Sequence, residues 1–78
     1  MKTEVIFRQF PEGDIIALFP FEFCDLEKKY ISSYMHIGQH SAASPDLIWE
    51  LSRVQEDQYK PLEDELRAIG YNLKIIEI

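Results

Sequence analysis

The sequence predicts an α+β fold of order βββααβ: a four-stranded antiparallel sheet with two helices packed on one face. Three observations lead there. Two β-branched and aromatic runs, residues 3–10 and 14–19, flank a short Pro/Gly turn, which is the signature of a hairpin. A third run, residues 30–37, alternates along a strand period. After Ser44 the apolar spacing lengthens to three and four, and strand character returns after Gly70.

In the first run Val5, Phe7 and Gln9 share one face, and Ile6, Arg8 and Phe10 the other. Pro11-Glu12-Gly13-Asp14 breaks it, because Pro presets a turn and Gly accepts a positive φ. Ile15, Ala17 and Phe19 then alternate with Ile16 and Leu18, and Pro20 ends that strand or marks its edge. Residues 21–29 have no clear period: Phe21 and Phe23 could extend the strand, while the stretch from Cys24 reads as loop. In the third strand Ile31, Ser33, Met35 and Ile37 oppose Tyr30, Ser32, Tyr34 and His36. Residues 38–43 read as a loop.

Ser44-Pro45-Asp46 is a helix start: a hydroxyl acceptor, a Pro suited to the first turn and an acid at the positive end of the dipole. Leu47, Ile48, Leu51 and Val54 follow at helical spacing, and the helix fades near Gln55. A second helix begins near Glu56 or Asp57 and ends at Ile69, with the stripe Tyr59, Leu62, Leu66 and Ile69 and an i,i+4 pair, Glu63 and Arg67. Pro61 conflicts with it, so a kink or a start near Lys60 is expected. Gly70 is suited to cap it. Residues 72–78 form a fourth strand, which this order places antiparallel to strands one and three, beside either.

The 78 residues make one domain, 1–78. Cys24 is the only cysteine, so a disulfide within the chain is excluded. The apolar fraction of 46 % and charged fraction of 28 % fit a folded globular chain. There is no signal-peptide pattern and no membrane-length apolar run, so a cytoplasmic location and no membrane partner are expected. The net charge is −6, and half of the acids lie between Asp46 and Glu65. That balance repels phosphates and argues against nucleic acid as a partner.

Strands one, two and four are apolar on both faces, more than two helices on one face can cover. Either a second copy buries the other face as a homodimer, or residues 21–29 fold over it. His36 and His40, in His36-Ile37-Gly38-Gln39-His40, could converge on a cation with Asp46 or Cys24, but zinc chemistry wants three or four ligands. A loop whose imidazoles bond backbone carbonyls explains them more simply. Cys24 sits among Glu22, Asp25 and Glu27, the wrong surroundings for a nucleophile. The Tyr30-Ser32-Tyr34-His36 face and Trp49, which lies opposite the apolar stripe of its helix, suit a protein contact. No catalytic, cofactor-binding or metal residue is assigned.

The stretch Ser32-Ser33-Tyr34-Met35-His36-Ile37-Gly38-Gln39-His40, with Glu4-Val5-Ile6-Phe7-Arg8, Ile15-Ile16-Ala17-Leu18-Phe19-Pro20 and Ile69-Gly70-Tyr71-Asn72-Leu73, resembles a group of small bacterial proteins found on conjugative elements and prophages. The resemblance implies an accessory protein of a mobile element inside a bacterial cell, and carries over no catalytic residue. The expected function is a non-enzymatic interaction module that binds itself or another protein through Tyr34, His36, His40 and Trp49. The alternatives are an acidic decoy that imitates nucleic acid, and a small metal-dependent enzyme using His36 and His40.

Overall fold

A computed structural model describes residues 2–78. Eight elements follow one another: β1 (Thr3–Gln9), β2 (Ile15–Phe23), β3 (Ile31–Met35), β4 (Gln39–Ala43), α1 (Leu47–Glu50), β5 (Ser52–Arg53), α2 (Glu56–Ala68) and β6 (Leu73–Ile75). The α+β class, the antiparallel meander and the two helices match the expectation from sequence. The sheet has six strands, in the order β4-β3-β2-β1, with β5 and β6 sharing the far side of β1.

The β1–β2 hairpin forms with Ile6 opposite Leu18 and Arg8 opposite Ile16. Gly13 closes its turn at φ +107°, a conformation L side chains resist. Strand β2 passes through Pro20 to Phe23, but its register against β3 jumps between Phe19 and Phe23. A residue without an N–H cannot continue the ladder, so the strand bulges there.

Residues 39–43, expected to be loop, form β4, with Tyr34 opposite His40 and Ser33 opposite Ser41. Nothing in Gln39-His40-Ser41-Ala42-Ala43 favours a strand intrinsically. Pairing with β3 through a turn in which Gly38 adopts φ +65° creates it. This extra strand reverses the chain direction. The last strand, expected antiparallel to its neighbour, therefore runs parallel to β1, with Thr3 opposite Leu73 and Val5 opposite Ile75.

The first helix is one turn long. Ser44 Oγ accepts the Asp46 N–H at 3.2 Å, but Leu51 is already extended, and Ser52–Arg53 pairs with β1. Helix α2 starts with a capping box between Gln55 and Gln58 and runs unbroken through Pro61. Pro61 falls early in the helix and forfeits only its own bond to the preceding turn. Gly70 at φ +116° ends the helix, with Gly70 N–H on Arg67 O and Tyr71 N–H on Leu66 O. The pair Glu63–Arg67 forms at 2.9 Å.

The two helices pack on opposite faces, not on one. Val5, Phe7, Ala17, Phe19 and Tyr34 join Tyr59, Leu62 and Leu66 of α2 in one core. Ile6, Ile16, Leu18 and Ile31 join Ile48 of α1, with Leu47, Leu51 and Ile76 beside them, in a second. Strand alternation makes these two faces of one sheet. The crossing-over follows from β5, which returns the chain to the β1 edge between the helices. The second apolar face is thus occupied by α1 and the end of the chain rather than by residues 21–29.

Between β5 and β6 the edge of β1 is interrupted, and Arg8 fills the gap. It is buried and donates to Ile48 O at 2.7 Å, Phe7 O at 2.9 Å and Ile78 O at 3.2 Å. Burial, then the charge of Arg53, holds its pKa below the ordinary value.

Candidate functional site

Strand alternation turns Tyr34 of β3 toward α2, where the residue is 1 % exposed. A phenol in that position needs an acceptor. It donates to Glu65 Oε2 and accepts the Gly38 N–H at 2.9 Å. The other oxygen of Glu65, Oε1, bonds His36 Nδ1 in the β3–β4 turn. One carboxylate therefore fastens both the strand and its turn to the helix. The bond from Tyr34, then that from His36, lowers the Glu65 pKa. The same bond, then burial, raises that of Tyr34. His40 meets the Tyr34 ring edge-on at 4.6 Å and shares a 3.0 Å hydrogen bond with the Tyr71 hydroxyl. Tyr71 in turn stacks on Phe19 at 5.2 Å.

An open groove of about 450 Å³ runs beside this cluster, with Met35, His36, Gln39, Gln58, Leu62 and Glu65 among the residues that line it. A carboxylate that orients an imidazole is half of a nucleophilic catalyst. The one thiol does not join it: Cys24 lies beyond the opposite end of β3, where its N–H donates to Tyr30 O at 2.9 Å. Nor do the two histidines share a cation site in this arrangement, since His36 takes Glu65 and His40 takes Tyr71. Among the described residues no three His, Cys, Asp or Glu side chains group as metal ligands.

Of the residues singled out in the sequence, Tyr34, His36 and His40 come together, while Trp49 lies apart on α1 with 72 % of its surface exposed. Tyr34 contributes to the core rather than to the surface. Glu65 and Tyr71 complete the cluster and were not singled out. In the sequence Glu65 is one of seven acids between Asp46 and Glu65, yet it lies three residues after Leu62 and one before Leu66, on the flank of the buried stripe. That position is the signal that could have found it.

A second surface stands at the β2–β3 connection. Phe21, Phe23 and Leu26 are exposed, with Leu26 fully in solvent. Asp25 Oδ1 fixes the loop by accepting the N–H groups of Lys29 and Tyr30 at 2.9 and 3.0 Å, and Lys28 Nζ sits 5.6 Å from the Phe23 ring centre. Among the described residues no helix is long and apolar enough to cross a membrane. Compared with protein-family models, curated proteins and solved structures, the chain matches none.

Proposed function

We propose that the protein is a non-enzymatic interaction module that docks the apolar surface of another protein on the β2–β3 connection. One observation carries this reading: Phe21 at 68 %, Phe23 at 44 % and Leu26 at 102 % exposure lie within six residues, where the end of β2 passes into a loop held by Asp25. Exposed apolar groups gathered in this way usually mark a contact surface. A fixed loop also loses little conformational entropy on binding.

The metal-dependent alternative has less support, because His36 bonds Glu65 while His40 bonds Tyr71, so the two imidazoles do not converge on one point. The nucleic-acid decoy needs a row of free carboxylates. Glu63 is engaged by Arg67 and Lys60, Asp64 by Lys60, and Glu65 by Tyr34 and His36. The setting in a bacterial mobile element, and a place inside the cell, rest on the resemblance carried by residues 4–8, 15–20, 32–40 and 69–73.

The test is a photo-reactive residue placed at position 26 in bacterial cells, with position 57 on α2 as the reference. A discrete adduct at 26 that Phe21→Ser removes is expected. No adduct, or the same adducts from both positions, ends the reading.

A further inference from the structure

The sheet has two unlike edges. β5 and β6 are two and three residues long and carry Arg53 and Lys74, and both features discourage pairing with another chain. β4, at the other end, is five residues long, holds no Asp, Glu, Lys, Arg or Pro, and among the described residues pairs with β3 alone. Residues 39–42 are exposed, and alternate N–H and C=O groups of β4 point away from β3. An unguarded edge of this kind is a template for a further strand.

We propose that β4 pairs antiparallel with β4 of a second copy about a two-fold axis at Ser41, which joins two sheets into one. A two-fold contact sets the same residues on both sides. In this register Gln39 faces Ala43 and His40 faces Ala42 of the second copy, and none of the four is acidic. A chain of net charge −6 thus meets itself on a strand that carries no acid. The ends of the edge also match. Ile37, 74 % exposed, precedes β4 in the turn, and half-exposed Tyr30 flanks the far end, where Ile31 pairs with Ala43. The two-fold brings Ile37 of each copy to the Tyr30 end of the other.

Five residues with two flanking contacts bury less than the roughly 1,200 Å² of a stable interface, so the association is reversible and follows mass action. Added salt tightens it, because it screens the repulsion of two acidic copies.

Sedimentation equilibrium and amide hydrogen exchange on the whole chain test the proposal together. The expected result is a monomer–dimer equilibrium in which amides of residues 39–43 become more protected as concentration rises. Ala42→Lys, at an exposed position, weakens the dimer by on the order of tenfold with the far-UV spectrum unchanged. Ile37→Ser, outside the ladder, weakens it in the same direction. A monomer at every concentration overturns the proposal. So does a dimer whose 39–43 amides stay unprotected, or an Ala42→Lys variant that associates as tightly as the parent. None of these outcomes alters the adduct expected at position 26.

Discussion

The two edges of the sheet are fastened to the molecule by different forces. β6 is only three residues long, but Leu73 is buried in the core with Val5, Phe7 and Leu66. Arg8 fills the gap beside it by donating to three carbonyls. β4 is longer, yet only Ala43 of its five residues is buried. Its ties are polar: the ladder to β3, Ser33 Oγ on Ser41 O at 2.9 Å, His40 on Tyr71, and the Tyr34–Glu65–His36 cluster behind its turn. An edge held by apolar burial responds to lost volume. An edge held by a carboxylate responds to protons and leaves its outer backbone open to a partner.

Leu73→Ala tests the apolar edge and has the largest expected effect, a loss of about 2–5 kcal/mol in urea unfolding. A loss no larger than that of a surface change would mean that β6 is held mainly by its backbone bonds. Next comes Arg8→Met, which keeps the aliphatic stem but strips the donors from Phe7, Ile48 and Ile78. A cost of about 2 kcal/mol by the same measurement is expected. A neutral result would make the desolvation of the guanidinium equal to the value of its three bonds.

The polar edge is tested by pH. The Glu65 pKa is lowered in the fold, so its contribution is present above the ordinary value of 4.5 and is lost as pH falls through the folded value. The Tyr34 pKa is raised, so its contribution is present below the ordinary 10.0 and is lost as pH rises beyond it. Acid should therefore speed amide exchange, corrected for its intrinsic pH dependence, in residues 39–43 ahead of 73–75. Glu65→Gln should remove that difference. Equal responses at both edges would break the contrast. The smallest effect on stability belongs to Ala42→Lys, within about 0.5 kcal/mol of the parent, although it weakens self-association.

Much of the fold was legible because some segments carry their instructions locally. The β1–β2 hairpin follows from alternation on both sides of Pro11 and Gly13, and the end of α2 from Gly70. β4 was not legible, since Gln39-His40-Ser41-Ala42-Ala43 becomes a strand only through its partner. One missed strand had wide consequences: it inverted the direction of β6. The one-turn length of α1 was hidden by Leu47, Leu51 and Val54, whose helical spacing also suits a turn followed by an edge strand. In the candidate site, His36 and His40 stood out as histidines, whereas Glu65 was one acid among several on an acidic helix.

By itself, the sequence determined the two faces of β1, β2 and β3, the turn after β1 and the end of α2, because alternation and positive φ act within a few residues. Only the tertiary structure decided that the helices take opposite faces, that β6 runs parallel to β1, and that Glu65 joins Tyr34 to His36. Each of those depends on groups about thirty to seventy residues apart in the chain, brought together by packing rather than by any local preference.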